Sequence, residues 1–151
     1  MRIVESWDDY FMAMARQAAT RSKDPSTQVG CVIVKDRDLL MTGYNGFPAG
    51  IEETEAMWER PTKYNIVIHA EQNAIARAAR KGIAIDGSTM YLTAFPCNKV
   101  GCARLIIAAG IKRVVAQKVL AGWDDDCCFT VDLFDKAKIE WSVLDGIPDV
   151  Q

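Results

Sequence analysis

The one histidine of the chain opens the run His69-Ala70-Glu71, and two cysteines follow a proline further along, Pro96-Cys97 and then Cys102. An imidazole and two thiolates suit zinc, and three protein ligands leave a fourth position open for water. A carboxylate that stays off the metal can carry protons for the reaction that occurs there. These residue types therefore point to a hydrolytic zinc site, with His69, Cys97 and Cys102 as ligands and Glu71 as the acid/base. Each has a plainer reading when taken alone. A lone histidine is ordinarily a surface or core group, a glutamate in a first helical turn is a favourable N-terminal acid, and free cysteines are often small buried hydrophobes. The ordered set carries the argument, and Ala70 adds no bulk between ligand and acid.

The cysteine spacing constrains the local backbone. Four residues, Asn98-Lys99-Val100-Gly101, separate Cys97 from Cys102. On a continuous helix five steps turn by about 140°, so the two thiols would face apart, whereas three steps leave them about 60° from alignment. If Cys102 is a ligand, Asn98 to Gly101 must be a loop or distorted turn, with the regular helix starting near Cys102. Gly101 suits such a turn because glycine tolerates positive φ.

The elements that must hold these residues read as follows. Ser6 to Ala19 is a helix, with Ser6 as N-cap, Asp8 and Asp9 in the first turn, and Phe11, Met14, Ala15 and Ala18 on one face. Ser22 to Ser26 is a turn cluster. Val29–Val34 and Leu39–Tyr44 form a hairpin across Lys35 to Asp38. Tyr44 to Gly50 is a loop, and Glu52 to Glu59 a further helical stretch. Ile66-Val67-Ile68 leads into a helix from His69 or Ala70 to Lys81, stopped by Gly82. Thr89–Ala94, Arg113–Gln117 and Glu140–Leu144 are strands, and Leu105–Ala109 and Val131–Ala137 are helices. Helix, hairpin, then alternating strands and helices predict an α/β class, a three-layer α/β/α sandwich with a mixed sheet. Cys31 falls in an apolar strand and reads as core. Cys127 and Cys128 are adjacent, which suits structural or exposed thiols better than chelation of one ion.

Bulk properties narrow the function. At 151 residues the chain fits one domain, residues 1–151, with a real core. A formal charge of -2 argues against duplex nucleic acid as partner and for a small free substrate. No apolar run nears the roughly 20 residues needed to span a membrane, and the polar, acidic N-terminus is not a signal peptide. Five cysteines without a secretion signal favour metal binding or free thiols over disulfides. The expected compartment is the cytoplasm.

Several segments beyond the zinc motif carry a resemblance. Ser22-Lys23-Asp24-Pro25-Ser26-Thr27-Gln28-Val29-Gly30, Gly43-Tyr44-Asn45-Gly46-Phe47-Pro48 and Tyr91-Leu92-Thr93-Ala94-Phe95-Pro96-Cys97 are similar to segments of the cytidine and deoxycytidylate deaminase superfamily. The chain resembles its deoxycytidylate deaminases most, over roughly Trp7 to Gln117. The resemblance implies a five-stranded sheet flanked by helices, a cytidine-deaminase-like fold. It also implies hydrolysis of dCMP to dUMP and ammonia, which supplies precursor for thymidine nucleotides. His69, Cys97 and Cys102 would bind one catalytic Zn2+ per chain, Glu71 would be the acid/base and Asn45 would contact the substrate. Ala70 and Lys23 are further substrate-binding candidates, Lys23 through the nucleotide phosphate at the active or an allosteric site. Asn45-Gly46 is also an ordinary tight turn. Members of the family are often hexamers, activated by dCTP and inhibited by dTTP. A homo-oligomer with such effectors, accompanied by Mg2+, is the corresponding expectation. The chain departs from the family pattern at the four-residue cysteine spacing. It departs again at Gly50-Ile51, where some members place a cysteine of a second, structural zinc site. Other cytosine substrates such as dCTP or nucleosides, adenosine in tRNA, and a zinc-binding regulatory subunit without turnover are the alternatives.

Overall fold

A computed structural model describes residues 1–149. The elements are α1 (Trp7–Ala19), β1 (Gly30–Lys35), β2 (Asp38–Tyr44), two 3-10 turns (Glu55–Trp58 and Thr62–Asn65), α2 (Ala70–Lys81), β3 (Thr89–Ala94), α3 (Cys102–Ala108), β4 (Arg113–Lys118), α4 (Asp125–Lys136) and β5 (Glu140–Val143). The five strands found among the described residues form one sheet in the order β2-β1-β3-β4-β5. The hairpin pair β1/β2 and the β1/β3 pair are antiparallel, while β3/β4 and β4/β5 are parallel. The parallel half follows from the crossovers: α3 joins β3 to β4 and α4 joins β4 to β5, which brings each strand back in the same direction.

Alternation along the strands divides the core between the two faces. Val32 and Val34 of β1 pack with Tyr91, Val115 and the α1 residues Phe11, Met12 and Ala15. Cys31 and Ile33 turn the other way, into a cluster with Met90, Leu92, Val114, and Ala70, Ala74 and Ala78 of α2. Ala103 and Ile106 of α3 and Phe134 of α4 complete that second cluster. The predicted three-layer sandwich is therefore present, with α1 on one face and α2, α3 and α4 on the other. A strand covered on both sides must be apolar at every position, which is why β1 reads Gly-Cys-Val-Ile-Val.

Two glycines let helices settle close on the sheet. A Cβ on Gly43 in β2 would lie 2.5 Å from the carbonyl oxygen of Ala70 and 2.7 Å from the amide of Ala74. One on Gly30 in β1 would collide with the Ala15 carbonyl of α1. The i, i+4, i+8 alanines of α2 complete the close approach of the helix that carries Glu71.

Three boundaries differ from expectation. α3 begins at Cys102, ahead of the Leu105 start read from its apolar run and at the place that a ligand role for Cys102 requires. α4 begins at Asp125, six residues before Val131, because Asp124 is its N-cap: the Asp124 carboxylate accepts a hydrogen bond from the Cys127 amide at 3.0 Å. The acidic stretch Glu52 to Glu59 supplies only the single 3-10 turn Glu55–Trp58, which lacks a side-chain cap. No helix among the described residues is long and apolar enough to cross a membrane.

Candidate active site

α2 and the loop from Pro96 to Gly101 build the site. His69 is the N-cap residue of α2, with extended backbone, and its amide donates to Gln72 Oε1 at 2.8 Å. Gln72 then donates from Nε2 to the Val100 carbonyl at 3.2 Å. One glutamine thus ties the histidine backbone to the loop that carries the cysteines.

The four residues between the cysteines form the turn that a shared ligand role demands. Gly101 sits at φ 90°, ψ 7° and donates to the Asn98 carbonyl at 2.8 Å. The Asn98 amide donates to Asp126 Oδ2 of α4 at 3.0 Å, and the Thr130 hydroxyl donates to the Pro96 carbonyl at 3.2 Å. Cys102 then opens α3, whose Ala103 amide donates back to the Cys97 carbonyl at 2.9 Å. The turn is fastened to α2, α3 and α4, and both thiols face one point.

His69 Nδ1 lies 3.5 Å from Cys97 Sγ and 3.4 Å from Cys102 Sγ. Ordinary zinc–sulfur and zinc–nitrogen bond lengths in a tetrahedron place such atoms about 3.6 Å apart. All three ligand atoms lie within 4.8 Å of one another, the one such group among the described residues. The donor set and its spacing fit zinc. The protonation chemistry agrees. A hydrogen bond from Cys102, helped by His69 and opposed by burial, holds the Cys97 thiol down to about 4. Cys102 is pushed far up by giving that bond and by burial. The hydrogen bond to Cys97 raises the His69 imidazole against the effect of its own burial. Two thiols sharing one proton beside an imidazole are a ligand set for which a cation competes with a proton.

Glu71 is 4% exposed. Burial pushes its carboxyl up, against the lowering effect of its backbone amide and of His69. A carboxyl held up in this way is better suited than an exposed one to take and return protons. Glu71, His69 and Cys97 line a cavity of about 340 Å³, a size typical of small-molecule sites. Ala70, Asn45, Phe95 and Pro96 also line it.

The substrate-binding candidates fare differently. Asn45 is buried at the wall, where its Oδ1 accepts from the Val29 amide at 2.8 Å and its Nδ2 donates to the Thr27 carbonyl at 2.9 Å. One N–H and one lone pair remain for a ligand. Lys23 does not line the cavity; it is exposed and pairs with Glu53 at 3.1 Å. Sequence reasoning missed Arg60, Lys63 and Tyr64, which reach the cavity from the segment around the second 3-10 turn. Lys63 is 3% exposed and bonds both oxygens of buried Asp24, at 2.9 and 3.1 Å. Burial works to raise the Asp24 carboxyl, but the Ser26 amide, Lys63 and the Thr27 amide together hold it below its ordinary value. The apolar approach Ile66-Val67-Ile68 gave no hint that a cation three residues earlier would be buried.

The family model for the cytidine and deoxycytidylate deaminase zinc-binding region matches residues 5–118. The chain belongs to this deaminase family. It is 40% identical over 140 residues to the deoxycytidylate deaminase of Pongo abelii, covering 88% of this chain and 76% of that one. It is 44% identical over 116 residues to the deoxycytidylate deaminase of Homo sapiens, covering 72% of this chain and 63% of the human protein. The chain thus spans somewhat under two thirds of its human relative. Among solved structures, the dCMP deaminase of cyanophage S-TIM5 in complex with dCMP and dUMP superposes with a TM-score of 0.75 at 27% identity. That match covers 94% of this chain and 99% of the phage deaminase. The five-stranded mixed sheet is the cytidine-deaminase-like fold, and this deaminase's matched region is the zinc-binding one.

Proposed function

We propose that this chain hydrolyses dCMP to dUMP and ammonia. One observation carries the reading: three zinc-type ligand atoms converge, two of their residues line a cavity of about 340 Å³, and a buried carboxyl beside them stays outside the ligand set. Likeness to two deoxycytidylate deaminases and to a dCMP-bound phage enzyme supports the choice of base and sugar. His69, Cys97 and Cys102 would hold the zinc ion, whose Lewis acidity lets water ionise near neutral pH. Glu71 accepts a proton from the attacking water as the C4–O bond forms, and delivers it to N3 of the cytosine. Glu71 then moves the second water proton to the exocyclic amine, the C4–N bond breaks, and ammonia leaves. Asn45 orders the Thr27–Val29 wall and offers its remaining amide N–H and lone pair to the nucleotide. Ala70 lines the cavity and adds no bulk between His69 and Glu71.

The test is ammonia release from dCMP, dCTP, CMP and deoxycytidine by the zinc-loaded chain. Preference for dCMP supports the reading; preference for deoxycytidine or dCTP moves it to another cytosine substrate. Full zinc content with no release from any of them makes the chain a zinc-binding subunit without turnover. A cytoplasmic homo-oligomer, a hexamer by family resemblance, regulated by dCTP and dTTP with Mg2+, belongs to the same proposal. Sedimentation and the same assay with either effector added check it.

A further inference from the structure

We propose that Arg60 recognises the 5′-phosphate of the substrate and so selects nucleotides over unphosphorylated nucleosides; the inference rests on the deaminase reading above. The charges that line the cavity lead to it. Its carboxylates include Asp24, Glu71, Asp124 and Asp126, and its cations are Lys63 and Arg60. Such a wall repels a phosphate unless a free cation offsets it. Lys63 is already committed, buried and bonded to both oxygens of Asp24. Arg60 lines the cavity, has no ion-pair partner among the described residues, and is exposed, so a phosphate beside it can keep its water. A phosphate taken deeper would lose hydration that a single cation does not replace.

The segment presents Arg60 in a fixed place. The Lys63 amide donates to the Glu59 carbonyl at 3.0 Å, closing a turn over Arg60, and the Tyr64 amide donates to the Pro61 carbonyl at 3.1 Å just after it. The Lys63–Asp24 pair pins this fold to the wall that Asn45 orders. The guanidinium stands 5.9 Å from the centre of the Tyr64 ring, within reach of a cation–π attraction. A planar guanidinium offers two parallel N–H donors to phosphate oxygens, which an ammonium does not. Lys23, the cation that the sequence offered for this role, is neutralised by Glu53 away from the cavity.

The experiment compares kcat/KM for dCMP and for deoxycytidine in the zinc-loaded wild type, Arg60→Gln, Arg60→Ala and Arg60→Lys. A charge-assisted contact predicts that the ratio of dCMP to deoxycytidine falls about ten- to a hundredfold in Arg60→Gln and Arg60→Ala, chiefly through KM for dCMP. Arg60→Lys keeps part of the preference. Raising the salt concentration erodes the wild-type preference more than that of the neutral variants. An unchanged ratio, or equal loss with both substrates, overturns the assignment while leaving the deaminase reading intact. No ammonia from either substrate with wild type overturns that reading, and the assignment with it.

Discussion

A carboxylate beside three metal-binding atoms either joins the ligand set or stays free to move protons. Glu71 stays free: the convergent group is His69, Cys97 and Cys102, and Glu71 lies next to it, buried with a raised carboxyl. The glutamine variant separates the two roles because it keeps the shape and removes the titration. Glu71→Gln should retain one zinc per chain and lose about 10²- to 10⁴-fold in kcat, measured by ammonia release alongside metal analysis. Loss of zinc together with activity would place Glu71 among the ligands. The residue types and order of this group were legible in the sequence because metal ligation needs few atoms of specified chemistry. The Lys63–Asp24 pair was not legible. A lysine in a short turn after Pro61 looks solvated until the tertiary fold carries it against a buried aspartate 39 positions away.

Elements succeed or fail here through single glycines. Gly101 holds φ 90°, and a Cβ on it would stand 3.3 Å from an Arg104 guanidinium nitrogen. That side chain can move, so the cost of Gly101→Ala is mainly the left-handed backbone, about 1–2 kcal/mol. The strain falls on the turn that brings Cys102 round to Cys97. The variant should therefore lose zinc affinity, read by competition with a chelator, out of proportion to its small drop in thermal stability. Gly43→Ala should do the reverse. Its Cβ meets backbone of α2 and cannot be relieved by a rotamer change, so overpacking by about 1–3 kcal/mol is expected in denaturant unfolding. The cysteine spacing pointed to the first glycine, since a five-residue offset between ligands cannot lie on a regular helix. It did not anticipate the second, because Gly43 inside an alternating strand carries no mark of the helix lying on it. Strand cores were legible for the same reason that their register is rigid, while the start of α4 was missed because three consecutive acids carry no apolar period, yet serve as its cap and first turn.

At the scale of the whole molecule, α1 stands alone on its face of the sheet, and a polar cluster fastens its first turn to the parallel half. Asp8 in its first turn accepts from Arg113 Nη1 at 2.9 Å and Nη2 at 2.6 Å on β4, and from the Tyr91 hydroxyl at 2.8 Å on β3. β3 continues into Pro96 and Cys97, so this clip holds the strand that delivers a ligand to the opposite face. The Arg113 hydrogen bonds hold the Asp8 carboxyl below its ordinary 3.8 despite burial, with Tyr91 adding to the effect. Burial and the Asp8 hydrogen bond in turn push the Tyr91 hydroxyl up to about 12. A carboxyl depressed on folding stabilises the native state fully above its unfolded value, and that contribution fades as pH falls through the folded value. Asp8→Asn should therefore unfold at a lower temperature than wild type at pH 7. The gap should stay constant down to about pH 5 and close as the pH passes below the unfolded value of about 3.8, as followed by thermal unfolding across a pH series. A gap that persists unchanged in acid would mean that the cluster acts through geometry alone. A gap that widens would place the relevant proton on a different group, because a carboxyl depressed by a guanidinium cannot gain stabilisation as the pH falls.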